Sequence, residues 1–304
     1  MANAAAIANA DTYLTGEKLW RAVLSLNICN IAAFCDIIGI GYVLEEVMDH
    51  YYDSTIVDWA PTAQLLGATV GQCVLGYLSD PFPRRNMLLF SVIFVFLISL
   101  GCALCIYSSN AATSVVVRTT SGVAFGSTTN LVNVAQNDFL PERRRLNFQG
   151  MQGGSVALGS VLGSLAGATL AMAGSWQCLY YIEAGLSAVA AVAVCFWLPP
   201  NKAGAPWSEV KVRLCTIDYF GLLSGIGCIV PGLLLMCRYD QFSLSVLISL
   251  TAITILCGSI FLYFGFTSPF DLRRYTTETM PHDTIRPIVP FRIFRNATIA
   301  ALLT

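Results

Sequence analysis

Eight apolar segments along the chain are each long enough to cross a bilayer: Val23–Leu44, Pro61–Ser79, Met87–Tyr107, Thr113–Ala135, Gln149–Ala173, Leu179–Leu198, Ile217–Met236 and Ser243–Gly265. A spanning helix needs about 20 such residues to cover about 30 Å of hydrocarbon. A ninth segment begins near Asn296, and the sequence reaches Thr304. About nine residues of helix rise about 14 Å, half a bilayer, so this segment is not expected to span. Two longer polar stretches also do not span: 201–216, and 266–295, which carries Pro269, Pro281, Pro287 and Pro290. The expected fold class is an all-α membrane protein. Its expected parts are a cytosolic tail over 1–22, a six-helix transmembrane bundle over 23–200, a cytosolic linker over 201–216, transmembrane helices 7 and 8 over 217–265, a cytosolic segment over 266–295, and a truncated start of helix 9 over 296–304.

Charge orients these helices. With the N-terminus in the cytosol, the inner loops hold Lys18 and Arg21; Arg84 and Arg85; Arg143, Arg144 and Arg145; Lys202, Lys211 and Arg213; and Arg273, Arg274, Arg286, Arg292 and Arg295. Of the 17 Lys and Arg residues, only Arg118 and Arg238 fall elsewhere. Basic residues gather on the cytosolic side of spanning helices. The first loop on the opposite side is acidic, with Glu45, Glu46, Asp49, Asp53 and Asp58. Met1–Asn9 is Ala-rich and has no basic residue, unlike a cleavable signal peptide, so the first spanning helix is expected to serve as the targeting signal. The sequon Asn296-Ala297-Thr298 falls on the cytosolic side and is expected to be unused.

Composition fits the same picture. Hydrophobic residues make up 56% of the chain and charged residues 12%, against about 25% charged in soluble domains. Mean hydropathy is +0.66, more apolar surface than a soluble chain of 304 residues can hide. The net charge of −1 supplies no field for nucleic acid. The 11 cysteines are scattered through apolar segments, including a lone Cys102/Cys105 pair. They read as small buried hydrophobes, with neither a disulfide framework nor zinc-ligand spacing. His50 and His282 are expected in separate loops and support no metal site. No nucleophile, metal or phosphate-loop constellation is present, so no enzyme, catalytic residue or cofactor is expected.

Ionisable residues inside the spans carry the candidate chemistry. Asp36 and Arg118 each cost on the order of a few kcal/mol in hydrocarbon unless they meet a cavity or a partner. They are candidates for proton coupling, with a static ion pair that orders the bundle as the alternative. Glu183 lies near the outer end of the sixth span and is expected to line a cavity mouth. Between the second and third spans, the run Gly76-Tyr77-Leu78-Ser79-Asp80-Pro81-Phe82-Pro83-Arg84-Arg85 packs an aspartate and two arginines into a short turn. Asp80 is expected to end its helix and to accept hydrogen bonds from a neighbouring helix N-terminus or to pair with an arginine. A positive-inside anchor with a helix-stopping turn is the plainer alternative. Small residues recur every four positions at Ser155, Gly159, Gly163, Gly167 and Ala171, and Gly67 and Gly71 share that spacing. Such stripes let two helices pack backbone to backbone.

The run from Gly76 to Arg85 resembles the cytosolic signature G-x-L-x-D-x-x-G-R-R/K of the major facilitator superfamily. It matches at Gly76, Leu78, Asp80, Arg84 and Arg85, while Pro81 and Pro83 depart from it and stiffen the turn. Trp59-Ala60-Pro61-Thr62-Ala63-Gln64-Leu65-Leu66-Gly67 looks like the start of helix two in drug-exporting members. Arg118-Thr119-Thr120-Ser121-Gly122 resembles the antiporter pattern R-x-x-Q-G, with Ser121 in place of glutamine. The run Gly159–Gly167 resembles the antiporter signature G-x-x-x-G-P-x-x-G-G, with Ser164 for the proline and Ala168 for the last glycine. Asp138–Arg145, the Trp176, Tyr181 and Ile182 set, Asp218 with Gly221, and Pro290–Asn296 are similar to the fourteen-helix, fungal-type branch of drug:proton antiporters.

That resemblance implies proton-coupled efflux of small organic compounds such as drugs, toxins or secondary metabolites, from the plasma membrane. It implies Asp36 and Arg118 as coupling or cavity charges, beside which Glu183 is expected from its position as a cavity charge, and Asp80, Arg84 and Arg85 as a cytosolic latch that breaks when two halves rock. The implied partners are lipid, a small organic substrate, protons and a C-terminal half of which this chain holds only the beginning. A truncated gene, a half-protein that pairs with another chain and a remnant without transport remain open. An uptake permease of the same superfamily and a truncated non-transporting membrane half-protein are the functional alternatives.

Overall fold

The computed structural model describes residues 16–51, 58–79, 81–104, 111–139, 142–199 and 218–267. Asp80, Cys105, the linker over 201–216, His282 and the truncated ninth helix lie outside the described residues, as do the side chains of Arg143 and Arg144. Among the described residues there is no strand. The described residues form eight long helices: α1 Gly16–Tyr51, α2 Trp59–Leu78, α3 Arg84–Leu104, α4 Ala111–Phe139, α5 Glu142–Met172, α6 Cys178–Trp197, α7 Tyr219–Arg238 and α8 Leu244–Thr267. Each overlaps one of the expected spans. In hydrocarbon every backbone N–H and C=O must be satisfied within the segment, and a helix does this without a neighbour.

Among the described residues, six segments are long and apolar enough to cross a membrane: Gly16–His50, Arg84–Leu104, Arg145–Met172, Cys178–Trp197, Tyr219–Gln241 and Leu244–Tyr263. The protein is an integral membrane protein. α2 and α4 fall short in hydropathy because they carry residues such as Thr62, Gln64, Arg118 and Ser121, which are turned inward and buried. α1 has 36 residues, about 54 Å of helix, and continues beyond the expected span at both ends. His50, expected in a loop, therefore sits in the last turn of α1.

The chain divides into two compact units, residues 1–204 and 205–304. In the first, α1 packs against α4, α5 and α6, while α2 lies along α4 and α3 lies against α4 and α6. The apolar core has a cluster towards each end of the bundle. One gathers Leu26, Leu88, Val92, Leu131 and Val194; the other gathers Ile40, Val43, Trp176, Leu179 and Tyr180. Several buried hydroxyls are satisfied within their own helices, as where Ser25 donates to the Ala22 carbonyl at 2.7 Å and Ser187 to the Glu183 carbonyl at 2.9 Å.

Two helix pairs are drawn together by glycine. A Cβ on Gly67 or Gly71 would overlap the backbone carbonyls of Thr119 or Val123 on α4. Reciprocally, a Cβ on Gly122 or Gly126 would overlap the carbonyls of Gln64 or Ala68 on α2. On α5, a Cβ on Gly159, Gly163 or Gly167 would meet the carbonyls of Ile31, Cys35 or Gly39 on α1. Ser155 extends that stripe and is buried. Lipid gives no hydrophobic force to separate helices from solvent, so this close approach is what dispersion and packing can use. α5 runs unbroken from Glu142 to Met172 with Ser164 where the resemblance has a proline; its hydroxyl donates to the Ser160 carbonyl at 2.8 Å.

In the second unit, α7 and α8 pack on each other across the short turn Tyr239–Gln241. Gly227 faces Cys257 and Gly258 faces Cys228. Asp218 caps α7 by accepting from the Gly221 N–H at 2.8 Å.

Gly126→Leu and Gly163→Leu should each destabilise the first unit by about 1–3 kcal/mol through overpacking, read as a lower Tm of the purified protein. Gly41→Ala, whose Cβ meets nothing within 4 Å, should leave Tm unchanged. Equal effects at Gly41 and Gly126 would refute close packing of α2 and α4.

Candidate functional site

Between the two apolar clusters lies a buried polar cluster to which five helices contribute. Asp36 of α1 is fully buried and Arg118 of α4 is 3% exposed; Arg118 Nη1 donates to Asp36 Oδ1 at 2.9 Å. Gln64 of α2 donates through Nε2 to the other oxygen, Asp36 Oδ2, at 2.5 Å. The guanidinium lies over the face of Tyr180 of α6, with Cζ 4.5 Å from the ring centroid. A desolvated cation over an aromatic face gains on the order of 2 kcal/mol. The expected neighbourhood of Asp36 and Arg118 is thus a direct ion pair, held on one side by an amide and on the other by a ring.

Glu183 of α6 differs from expectation. It does not line a cavity mouth: it is 2% exposed and part of the same cluster. Its Oε1 accepts from Ser99 Oγ of α3 at 2.8 Å, and its carboxyl lies within electrostatic range of both Asp36 and Arg118. The cause is the register of α6, in which Tyr180, Glu183, Ser187 and Ala190 share one inward face. Two carboxyls therefore stand against one guanidinium. Two atoms remain without a hydrogen-bond partner, Glu183 Oε2 and Arg118 Nη2.

At the end of the bundle where α3 begins, the arginine pair has partners within the six-helix unit. Arg84 Nε donates to Asp138 Oδ2 at the end of α4 at 2.8 Å, and Arg84 Nη1 donates to Ser79 Oγ at 3.0 Å. Arg85 donates to the Cys195 carbonyl near the end of α6. Arg145 of α5 likewise donates to the Asn137 carbonyl at 3.0 Å. Guanidinium groups at helix C-termini satisfy otherwise orphaned carbonyls and meet the negative end of the helix dipole. Pro83 opens α3, its carbonyl accepting from the Asn86 and Met87 N–H groups at 3.0 and 3.2 Å. Gly76 lies against the Asn130 amide of α4, where a Cβ would overlap it, and Leu78 closes α2. The position of Asp80 lies outside the described residues.

Several contacts of the buried cluster and of the arginine pair do not follow from the sequence. Gln64 and Asp138 sat inside runs noted for their resemblance, yet nothing in spacing paired them with Asp36 or Arg84. Ser99 and Tyr180 carried no signal at all. Gly122 and Gly126 share the four-residue spacing of Gly67 and Gly71, and that spacing could have found them.

This arrangement can be set against known proteins. Residues 26–282 match the Major Facilitator Superfamily, and the chain belongs to that superfamily. It is 27% identical over 293 residues to Citrate exporter 1 of Yarrowia lipolytica, covering 95% of this chain and 40% of that protein. It is 25% identical over 289 residues to the MFS efflux transporter aclA of Aspergillus oryzae, covering 95% of this chain and 49% of that one. The chain thus spans half or less of the length of these curated relatives. Among solved structures, the crystal structure of a D-xylose-proton symporter shares the fold, with a TM-score of 0.55, 16% identity, and coverage of 80% of this chain and 66% of that one.

Removing one partner of the buried pair leaves an uncompensated charge. Arg118→Leu should cost about 3–5 kcal/mol. Asp138→Asn, in a pair whose aspartate is 47% exposed, should cost less than about 1 kcal/mol. Thermal unfolding of the two variants beside the parent measures the contrast; equal losses would refute the burial assigned to Asp36 and Arg118.

Proposed function

We propose that this chain is the N-terminal part of an exporter of small organic compounds, driven by proton antiport. The observation that carries the reading is the buried cluster of Asp36, Glu183 and Arg118. Charge balance among two acids and one guanidinium leaves room for one exchangeable proton. Ionisable groups at membrane depth mark ion or proton pathways when they are not merely structural. Relatives named as exporters and efflux transporters support the direction. In this reading Asp36 and Glu183 share the proton, Arg118 holds Asp36, and the substrate passes between this bundle and a second one. Gly76, Leu78, Asp80, Arg84 and Arg85 form the cytosolic gate element.

The proposed topology keeps the parts expected from the sequence. The N-terminus and the segments 1–22, 201–216 and 266–295 lie in the cytosol. The six-helix bundle spans within 23–200, helices 7 and 8 within 217–265, and a ninth helix starts at 296–304. Placement in the plasma membrane follows the fungal-type exporters that the sequence resembles. The basic clusters around Arg84 and Arg145, gathered at one end of the bundle, support this orientation.

Sealed membrane vesicles with an imposed pH gradient test the reading in the full-length protein. Asp36→Asn should reduce gradient-driven export of an accumulated organic dye to background, while protein abundance holds. Intact export in that variant, or movement of the dye in the uptake direction, would overturn it. A glycosylation tag placed after Arg85 should remain unmodified.

A further inference from the structure

The buried cluster has an unfilled side. Arg118 Nη2 has no hydrogen-bond partner although the residue is 97% withdrawn from solvent, being 3% exposed. Beside it lies a cavity of about 10 Å³, lined by Val47, Cys102, Ser114, Arg118, Trp176 and Tyr180 among others. A buried charged donor left unpaired costs more than an ordinary lost hydrogen bond. A cavity of this size has room for one water, which needs two to four polar partners to settle there. Arg118 Nη2 offers one, and the Ser114 hydroxyl, the Cys102 thiol and Tyr180 add polar atoms to the lining. The second cavity of similar size, among Cys29, Val92, Val95 and Phe125, has a mainly apolar wall and no orphaned charge.

The position of this cavity matters as much as its polarity. Val47 and Cys102 lie in the last turns of α1 and α3, Ser114 in the first turn of α4, and Trp176 just before α6. The cavity therefore sits between the charge cluster and the end of the bundle away from Arg84 and Arg85. Over it runs a column of rings. His50 meets Trp176 edge-on with centroids 5.5 Å apart, Trp176 meets Tyr180 at 6.0 Å, and Tyr180 carries Arg118 on its face. His50 is exposed, whereas Trp176 is 6% exposed. Among the described residues, Trp176 both lines the cavity and packs on the exposed His50 ring.

We propose that the cavity beside Arg118 is a water site that connects the Asp36–Arg118–Glu183 cluster to the aqueous phase beyond the His50 end of the bundle, with Trp176 as its plug. The proposal rests on the exporter reading only for the identity of that phase as the non-cytosolic one. The water donates to or accepts from the groups around it and exchanges with bulk when the indole swings aside. No covalent step is involved, and the proton that reaches Asp36 or Glu183 by this route leaves a water that recovers it from the outer phase.

Hydroxyl-radical footprinting of the full chain in nanodiscs tests the site, with water as the probe. Cys102 and Tyr180, next to the cavity, should be modified several-fold faster than Cys29 and Phe125, which are at least as buried. Ser114→Leu, which fills the cavity, should remove that difference. Equal modification of Cys102 and Cys29 in the parent would overturn the water site. Thiol labelling in sealed vesicles tests the plug. Trp176→Ala should speed modification of Cys102 several-fold by an impermeant anionic methanethiosulfonate, read peptide by peptide by mass spectrometry. No acceleration from either side, in a Trp176→Ala or a milder Trp176→Val protein that keeps its fold, would overturn the plug. Acceleration only from the cytosolic side would uphold the path and overturn the proposed orientation. Acceleration from the outside together with intact export in Asp36→Asn would uphold the path and overturn the coupling role.

Discussion

The ion pair between Arg118 and Asp36 is the constraint around which the six-helix unit is arranged. A guanidinium and a carboxylate withdrawn from water lose several kcal/mol of hydration each, and their attraction repays this only with good geometry and additional hydrogen bonds. The bundle supplies both. α2 brings Gln64 to the second carboxylate oxygen, α6 brings the Tyr180 face to the guanidinium, and α3 brings Ser99 to the neighbouring Glu183. No single helix could do this, so the pair ties the packing of five helices to one geometry.

Such convergence is possible only because the helices approach closely where they must. Gly67, Gly71, Gly122 and Gly126 remove the side chains that would hold α2 and α4 apart, so that Gln64 of α2 and Arg118 of α4 both reach Asp36 of α1. α5 presses its glycines onto the carbonyls of Ile31, Cys35 and Gly39, on either side of Asp36, and so closes α1 against lipid. Small residues and buried charge are therefore two parts of one solution. Without the close joint the polar groups would not meet, and without their meeting the charges would not be tolerated at that depth.

At the Arg84 end of the bundle a different balance holds. The arginines there are partly exposed, and their links to Asp138, Ser79 and the Cys195 carbonyl join the start of α3 to the ends of α2, α4 and α6. Exposed pairs contribute little each and exchange readily with water. A buried, geometrically demanding cluster at the centre and weak links at one rim suit a bundle that keeps its interior while its surface contacts change. The polar cavity at the other rim extends the same contrast.

Much of this was legible in the linear chain. The long helices among the described residues fall on runs of apolar residues, because a bilayer demands about 20 of them in a row. The depth of Asp36 and Arg118, the four-residue stripe of α5 and the facilitator signatures were equally local. What tertiary structure decided were the pairings. That Gln64 rather than another polar residue completes Asp36, that Arg84 meets Asp138, 54 positions further along the chain, and that Glu183 joins the charge cluster instead of a cavity mouth, depend on helix rotation and on which helices touch. A helix rotates by about 100° per residue, so a small shift in register turns a side chain from the cluster to lipid. Hydrophobic blocks fix where a helix lies along the chain, whereas only packing against its neighbours fixes which face it turns inward.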